Sequence, residues 1–557
     1  MLVNMAVGEQ VVTSALSPKS PSPTTATGEW TGWRPSHNPW AVALTVTLAT
    51  FMEVLDSSIA NVALRHIAGG FSAGQDESTW VLTSYLVSNA IVLPISAWLA
   101  TRFGRKRFYM TCVAVFTASS FLCGLAPSLG MLILFRVLQG AGGGGLAPSE
   151  QAILADTFPP SKRGIAFAVY GMAVVVAPAI GPTLGGWITD NYTWRWIFYI
   201  NVPVGALAFF LCYFVVHDPH YLKKARAEMR RQPFHFDYIG LGLLALVMSS
   251  WEIMLSKGQE WDWLGDPFWR VQTLLSLFVV GLGCLVLRET RITNPVVNFR
   301  PLLERNFTAS CVIIFCAFGV LYGASTSLPG LLQSLFGYDA YVSGLVQSPS
   351  GVFSIAMLVV GGILLGRGTD ARWLIGGGLL LMAAGCYWMA LMNLYISPWQ
   401  VVWPRVVMIT GLSMVFAPLN VAAFKYTPLH LRGAAVGLFA LLRNEGGSVG
   451  TSMAQTIQER REQFHLSRLN ENLGQLNPHV HSFMERGQEY FMRLTGNPFL
   501  SQQRSVNVLA DLRQQQAASM AYFDVFWLCA VLGVVLVFLV FMMKRSVAEK
   551  GAHAGAE

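Results

Sequence analysis

Ionisable side chains occur inside several long apolar segments of this 557-residue sequence. Glu53 and Asp56 are three residues apart in one segment, a spacing that places both on one face of a helix. Asp56 lies roughly 12 Å from the end of its segment at 1.5 Å per helical residue, and Arg136 lies at a similar depth in a later segment. A carboxylate and a guanidinium at one depth can form an ion pair, and protonation of the carboxylate would release the arginine. The pattern therefore indicates either a proton-operated switch or a fixed ion pair that only orients two helices.

The second half of the sequence carries a similar set of charged residues. Arg443 and Glu445 are two residues apart, so they point in different directions on a helix. Glu445 has three interpretations: a second proton site, the counter-charge for a cationic substrate, or a partner for Arg405. If these segments span a membrane, each charge costs roughly 2.5–3.5 kcal/mol on insertion scales, which makes it a candidate functional residue. Glu252, in contrast, is predicted to lie at an interface between helices.

The candidate functional residues form two overlapping sets. The predicted proton-coupling residues are Asp56, Glu53, Arg136 and Glu445. The predicted substrate cavity contains Asp56, Arg136, Gln139, Arg405, Arg443 and Glu445. The sequence has no metal-ligand spacing and no Ser/His/Asp or Cys/His arrangement, so we predict neither a metal site nor a catalytic site.

The elements that hold these residues are predicted to be membrane-spanning helices. The sequence is 53% hydrophobic and 12% charged, whereas a soluble domain has about 25% charged residues. We identify about fourteen apolar windows of roughly 20 residues, the length that spans a bilayer, and the last two lie at 433–455 and 522–543. The net charge of +8 is spread over short loops between the windows, which argues against nucleic-acid binding. The predicted fold is an all-α polytopic membrane protein.

The distribution of basic residues predicts the orientation of the chain. An even number of spans places both termini on one side, and the Lys- and Arg-rich loops mark that side as the cytoplasm. Residues 1–39 are rich in Ser, Thr and Pro, and they are predicted to form a disordered cytoplasmic tail. Residues 544–557 form a second cytoplasmic tail. The long polar segment at about 456–521 falls on the outer side, where we predict a helical hairpin.

An internal repeat divides the chain into two related halves. Arg136 and Arg405 lie in similar contexts 269 residues apart, and Arg163 and Arg432 have the same offset. The predicted organisation is a six-helix half at 40–216, a cytoplasmic loop with two inserted helices at 217–300, and a second six-helix half at 301–543. Parallel repeats of six spans are how major-facilitator transporters are built, with the substrate site between the halves.

A glycine- and proline-rich stretch interrupts the fifth predicted span. Its residues are Pro178, Gly181, Pro182, Gly185 and Gly186. Proline in a span is tolerated where neighbouring groups satisfy the freed backbone, and glycine lets two helices approach closely. The GPxxGG spacing resembles the antiporter motif of major-facilitator exporters, and we expect it to let this helix approach the other half. The alternative is small residues that serve packing alone.

Further motifs resemble the fourteen-span drug:proton antiporters of the EmrB/QacA type from about residue 40 onward. They are LDSSIANVAL at 55–64, SAWLATRFGRKR at 96–107, FRVLQGAGGGG at 135–145 and DNYTWRWIFYINVPVG at 190–205. The long outer segment favours the EmrB side of that family. The resemblance implies a cytoplasmic gate at Arg102, Gly104, Arg105 and Lys106. Ala97 and Thr101 stand where the family carries Gly and Asp, so the acidic partner of a salt bridge across the gate is missing.

The resemblance also implies a function and partners. It implies a proton-driven multidrug exporter of the bacterial inner membrane that works with an EmrA-like periplasmic adaptor and a TolC-like outer-membrane channel.

GAGGGG lacks the GK[ST] of a phosphate loop, so we predict neither ATP as the energy source nor any cofactor. Two alternatives are a dedicated exporter of one metabolite, such as a siderophore, and a membrane sensor that binds such compounds. The repeat and the mid-span carboxylates argue against the sensor.

Overall fold

The computed structural model describes residues 37–159, 162–219, 237–292, 295–428, 431–473 and 477–546. These residues form helices joined by short loops, and no β-strand occurs among them. The predicted tails at 1–39 and 544–557 lie almost wholly outside the described residues. Most of the predicted loop before the inserted helices, at 220–236, also lies outside them.

In chain order, the helices are grouped into a first half, an insertion and a second half. The first half contains α1 (Pro39–Phe71), α2 (Gln75–Ser78), α3 (Trp80–Phe103), α4 (Arg105–Leu125), α5 (Leu129–Gly143), α6 (Leu146–Thr157), α7 (Arg163–Asn191), α8 (Trp196–Tyr199) and α9 (Asn201–Val215). The insertion contains α10 (Tyr238–Lys257) and α11 (Arg270–Arg291). The second half contains α12 (Arg305–Ser334), α13 (Ala340–Gln347), α14 (Pro349–Gly366), α15 (Ala371–Ala390), α16 (Pro398–Lys425), α17 (Arg432–Asn472), α18 (Pro478–Thr495) and α19 (Pro498–Phe541).

The number of apolar spans is slightly lower than predicted. Within the described residues, 12 helices are long and apolar enough to cross a membrane, or 13 if the two parts of the bent helix α7 are taken as one span. The predicted window at 433–455 lies in α17, which does not reach the same hydropathy because it carries Arg443, Glu445 and several glycines. It nevertheless packs along α12 and α19 in the interior of the second half.

Local sequence signals explain where several helices begin. The side chain of Asn38 accepts a hydrogen bond from the Trp40 amide at 2.9 Å, and Glu304, Asp339 and Asp370 cap α12, α13 and α15 in the same way. Such caps satisfy amides that have no partner inside the helix. Gly104 has a φ of +96° between α3 and α4, a conformation that glycine adopts without strain.

The two inserted helices are joined by an ion pair at one end, and the loop at their other end has an ion pair of its own. Asp237 caps α10 and pairs with Arg288 of α11 at 2.7 Å. Burial alone would raise the pKa of Asp237, but hydrogen bonds from Arg288 and the Gly240 amide lower it below its ordinary value. In the loop between the helices, the Arg270 guanidinium holds the pKa of Asp266 well below its usual range. The insertion is therefore a unit with its own ion pairs.

The predicted outer hairpin extends from the bundle as continuous helices. Helices α17 and α19 have 41 and 44 residues, or about 60 Å each at 1.5 Å per residue, and a bilayer core is only about 30 Å thick. The polar parts of both helices thus continue the spans without a break, and α18 packs against the first part of α19. We call the end of the bundle that carries residues 456–521 the hairpin end.

The two halves contact each other at both ends of the bundle. At the hairpin end, the hydroxyl oxygens of Thr183 in α7 and Ser348 beside α14 are 3.2 Å apart. At the opposite end, Gly164 at the start of α7 packs against Leu365 at the end of α14. Helix α10 lies against both α3 and α17, so it also touches both halves.

Candidate functional site

The predicted pair between α1 and α5 is present and fully buried. Arg136 Nη1 lies 2.6 Å from Asp56 Oδ2, and both side chains are almost entirely shielded from solvent. Arg136 Nε also donates to the carbonyl of Val81 in α3 at 3.0 Å. The guanidinium lies 4.2 Å from the centre of the Tyr85 ring, a cation–π distance. The arginine therefore ties three helices of the first half together.

Two amide side chains complete the environment of Asp56. Gln139 accepts from Arg136 at 2.9 Å and donates to Asp56 Oδ1 at 3.0 Å. Asn201 at the start of α9 donates to the same oxygen at 2.6 Å and to Ser120 at 3.0 Å. Arg136, Gln139 and Asn201 all donate to the Asp56 carboxylate, so a change at Asp56 would disturb every one of these contacts at once. Sequence reasoning missed Asn201, which follows a loop and carries no charge.

Glu53 lies one helical turn from Asp56 and belongs to a different set of contacts. Glu53 Oε1 accepts from the Tyr85 hydroxyl at 3.3 Å and from Asn89 at 3.2 Å. Its other carboxylate oxygen, Oε2, is buried and accepts no hydrogen bond from the described part of the chain. Tyr85 thus lies between the two predicted proton-coupling carboxylates, because its ring contacts Arg136 and its hydroxyl contacts Glu53.

Three consecutive residues of α17 face three different elements. Arg443 donates to the hydroxyl of Tyr170 in α7, and Asn444 donates to Asn89 of α3 at 3.0 Å. Glu445 lies beside Glu252 of α10. This segment therefore joins the second half to the first half and to the insertion. Glu252 lies at an interface between helices, as predicted from the sequence.

Arg405 has no acidic partner among the residues that the structure describes. It is fully buried in α16, its Nη2 donates to the Ser325 hydroxyl at 2.6 Å, and its Nη1 lies 3.9 Å from the Met408 sulfur. The repeat offset of 269 residues relates Ser325 to Asp56 and Met408 to Gln139. The second half thus repeats the geometry of the Asp56–Arg136 site without its carboxylate. Glu445 does not pair with Arg405, which removes one of its three interpretations.

The six residues predicted to line one cavity do not form a single site. Asp56, Arg136 and Gln139 lie together in the first half, and Arg443 lies where the halves meet. Arg405 is enclosed within the second half, and Glu445 faces α10. Arg443 also faces a group of aromatic rings, since its guanidinium lies 5.7 Å from the centre of the Phe318 ring. The sequence indicated that Arg443 and Glu445 point in different directions, but it offered no signal for which helices these side chains meet.

The antiporter-like motif bends α7 and presses it against α1. The parts of α7 before and after the bend, Arg163–Pro178 and Ile180–Asn191, form an angle of 43°. Pro182 has no amide hydrogen to donate to the carbonyl of Pro178, which removes one helical hydrogen bond near the bend. The carbonyls of Gly185 and Gly186 each accept from the Thr189 hydroxyl, at 2.9 and 3.1 Å.

The prediction that this glycine face approaches the other half is wrong. A Cβ atom on Gly181 would collide with Ser58, and one on Gly185 would lie 3.1 Å from Ile59. Both are α1 residues of the same half, close to Asp56. The other half is instead reached through Thr183, which packs against Gly344. Residues four apart share one helix face, and that face turns inward to α1.

The predicted gate residues lie at the end of the bundle opposite the hairpin end. Arg102 is in the last turn of α3, and Gly104 forms the sharp turn before α4. Arg105 forms an ion pair with Asp156 of α6, within the same half. The Lys106 amide donates to Asp218 at 2.9 Å, and its ammonium group donates to the Tyr213 carbonyl at 2.6 Å. These contacts join α4 to α6, to the end of α9 and to the chain that follows it.

Comparison with known proteins agrees with this architecture. Residues 46–451 match the sequence profile of the Major Facilitator Superfamily. The chain belongs to the major facilitator superfamily. It is similar to the multidrug export protein EmrB of Haemophilus influenzae, with 37% identity over 499 residues that cover 89% of this chain and 94% of the relative. EmrB of Escherichia coli K12 is 34% identical over 520 residues, 92% of this chain and 97% of the relative.

A solved structure supports the same fold. The proton:xylose symporter XylE bound to 6-bromo-6-deoxy-D-glucose has a TM-score of 0.58 at 13% identity, and the match covers 92% of this chain and 97% of that chain. As a member of the major facilitator superfamily, the chain is a membrane transporter and not an enzyme. The predicted fold and family are therefore confirmed.

Proposed function

We propose that this major-facilitator protein is a proton-coupled exporter of amphipathic, drug-like compounds in the bacterial inner membrane. The observation that carries the proposal is the buried Asp56–Arg136 pair. The equivalent arginine of the second half, Arg405, faces a serine hydroxyl, so only the first-half site has a carboxylate that can take up a proton. The similarity to proteins named multidrug export protein EmrB supports the substrate class.

The coupling step begins with protonation of Asp56. The proton removes the counter-charge of Arg136, whose Nη2 makes no hydrogen bond with any of the residues described here. The guanidinium then shifts toward the Tyr85 ring, which it already contacts. A movement of Tyr85 alters the hydrogen bond that its hydroxyl donates to Glu53. Asn89 joins Glu53 to the second half through Asn444. A change in charge at one residue is therefore transmitted to the contact between the halves.

Aromatic side chains at that contact supply a surface for apolar compounds. The rings of Tyr170 in α7 and Phe416 in α16 have centres 5.7 Å apart, and Phe416 also contacts Phe318. The Arg443 guanidinium lies over the Tyr170 and Phe318 rings. Apolar walls with a few polar groups are typical of small-molecule sites, and they suit compounds that are mainly apolar.

Resistance measurements in an efflux-deficient host test the substrate class. Expression of the chain should raise resistance to several chemically unrelated amphipathic compounds, and an Asp56→Asn variant at equal expression should not. Resistance to one compound class alone would support the alternative, a dedicated exporter of a single metabolite or siderophore. No resistance to any compound in a broad panel would contradict export of drug-like molecules.

The orientation belongs to the same proposal. We place both termini in the cytoplasm and the hairpin end in the periplasm, because basic residues are concentrated in the loops of the opposite end. Cysteines at two exposed positions test this in spheroplasts with a membrane-impermeant thiol reagent. Gln503→Cys in the hairpin should react in intact spheroplasts, and Arg107→Cys should react only after lysis. The reverse pattern would overturn the orientation.

The hairpin is the proposed contact with a periplasmic adaptor that leads to a TolC-like channel. None of the residues of α18 is buried. Its side chains Tyr490 and Leu494 are four residues apart and more than 60% exposed, and Phe499 at the start of α19 is 73% exposed. Exposed apolar groups on a polar extension mark an interaction surface. An exporter that delivers its substrate through a channel also keeps the compound from entering the cell again.

A shortened hairpin tests the partner. Arg513 donates to Asn470 at 2.6 Å, so α17 and α19 are adjacent at that level, and a short Gly/Ser linker can replace 474–511. The shortened protein should retain its spans, lose co-purification with the adaptor and lower resistance in whole cells. Phe499→Glu should weaken the contact, whereas Gln503→Glu, an exposed polar position nearby, should not. Full co-purification of the shortened protein would show that the hairpin only caps the bundle.

A further inference from the structure

Helix α10 lies across the seam between the two halves. The hydroxyl of Ser256 contacts that of Thr83 in α3, a first-half helix. On its other side, Ser452 of α17 donates to the Leu255 carbonyl at 2.7 Å. The loop after α10 continues along α17, where Trp263 donates to Thr456 at 3.0 Å. A change in how α10 binds α17 therefore affects a contact that also involves the first half.

Two carboxyl groups face each other at the centre of this contact. Glu252 of α10 and Glu445 of α17 are 3% and 5% exposed. Glu252 contacts Ser448 of α17, which lies one helical turn after Glu445 on the same helix face, so the two carboxyl groups are neighbours. Ser448 donates to Glu252 Oε1 at 3.0 Å, whereas neither oxygen of Glu445 accepts a hydrogen bond from the described residues. Glu445 is thus a buried acceptor without a hydrogen bond of ordinary geometry among the described residues, and the Trp251 indole is the donor near it.

The charged groups near this contact are engaged elsewhere. On α10, Lys257 forms an ion pair with Glu260 at 2.6 Å. On α17, Arg443 points to Tyr170, and Glu459 accepts from Gln259 at 2.7 Å. The charged residues of the other packed helices lie at their ends: Arg102 on α3, Arg305 on α12, and Arg270, Arg288, Glu289 and Arg291 on α11. The face of α11 toward Trp251 is aromatic, with the Phe278 ring stacked on the indole at 4.5 Å.

We propose that Glu252 and Glu445 share a single proton and form a second protonation site, which joins the inserted helix α10 to the second half. Two adjacent buried carboxylates cannot both ionise at low cost, and a proton between them gives Glu445 the hydrogen bond that it lacks. Its role in export rests on the proposed proton coupling, but the shared proton itself does not. Loss of the proton would make the two helices repel each other at the seam between the halves.

Glutamine substitutions distinguish a shared proton from two separately neutral acids. In Glu252→Gln or Glu445→Gln, the new amide can donate to the remaining carboxylate, which then needs no proton. Infrared pH titration of the full chain in lipid nanodiscs measures the carbonyl stretch of protonated carboxylic acids. Each variant should lose the same component of that band relative to the unmodified protein. Glu459→Gln, an exposed position on the same contact, should leave the band unchanged.

Two results would overturn the proposal. The band could remain intact in both variants, or only Glu445→Gln could lose it, which would mean that Glu445 binds a proton alone. If a single variant does not fold, the Glu252→Gln/Glu445→Gln double variant replaces it, because its two amides can bond to each other. That variant should also lack the band component. The measurement needs no substrate, so it succeeds or fails independently of Asp56 and of export.

Discussion

At the scale of single residues, Arg136 and Arg405 show how one partner changes the role of a buried charge. Both arginines are fully buried at equivalent positions of the two halves. Arg136 faces the carboxylate of Asp56, and Arg405 faces the hydroxyl of Ser325. A carboxylate can take up a proton and a serine hydroxyl cannot, so only the first-half site can respond to protonation.

The same comparison predicts unequal effects on stability. Arg136→Leu leaves Asp56 charged and buried without its partner, which costs about 3–5 kcal/mol in comparable pairs. Arg405→Leu leaves only the Ser325 hydroxyl without a partner, a loss of about 1–3 kcal/mol. We therefore expect a larger fall in melting temperature for Arg136→Leu than for Arg405→Leu in the same detergent. Equal falls, or the reverse order, would show that the ion pair does not stabilise the first half.

At the scale of elements, the contact between α7 and α1 is set by Gly181. An alanine there would collide with Ser58, which lies two residues from Asp56. We predict that Gly181→Ala separates the two helices and lowers export strongly, although alanine otherwise favours a helix by about 0.5–1 kcal/mol. Export assays on everted vesicles with equal amounts of protein measure the effect.

A second substitution tests the cause of that loss. Ser58→Gly removes the atoms that collide, so the Gly181→Ala/Ser58→Gly protein should regain export. Gly361→Ala in α14 is the matched control, because nothing lies within 4 Å of a Cβ atom there. If Gly181→Ala exports normally, or if Ser58→Gly does not restore it, the close approach is not what matters.

The sequence predicts some of these elements well for physical reasons. The depth of Asp56 and Arg136 in their spans is enough to predict their pairing, since residues at one depth in adjacent helices can meet. The repeat offset predicts the position of Arg405. The partner of Glu445 could not be predicted, because nothing in the sequence shows where α10 packs. The target of Gly181 was missed because spacing defines a helix face but not the neighbour that it meets.

The hairpin at 456–521 shows a further limit of sequence patterns. Polar composition predicts that 456–521 leaves the membrane, and the structure agrees with a helical extension. Composition does not show where a helix ends, because α17 and α19 continue as helices well beyond their apolar parts. Composition can also understate a buried helix. The charged residues of α17 lower its mean hydropathy, although the helix packs inside the bundle.

At the scale of the whole molecule, transport requires the halves to separate at one end and then at the other. They are in contact at both ends. In a cysteine-free background, a Thr183→Cys/Ser348→Cys pair should form a disulfide, because the two hydroxyl oxygens are 3.2 Å apart. We predict that this crosslink stops export and that reduction restores it.

A crosslink within one half provides the control. The hydroxyls of Ser354 and Ser413 are 2.7 Å apart between α14 and α16, so Ser354→Cys/Ser413→Cys should form a disulfide that leaves export unchanged. Export that continues with the Thr183–Ser348 positions crosslinked would contradict a movement between the halves at the hairpin end.

Proton movement in reconstituted vesicles tests the central claim most directly. With an imposed pH gradient and a trapped pH-sensitive dye, an exported compound should accelerate collapse of the gradient across vesicles that contain the unmodified protein. Asp56→Asn should still fold and bind the compound, because the amide matches the carboxyl group in shape and its oxygen can still accept from Arg136 in the position of Oδ2, but the compound should no longer accelerate the collapse. Substrate-dependent collapse at the unmodified rate in Asp56→Asn would show that this carboxylate does not couple proton movement to export.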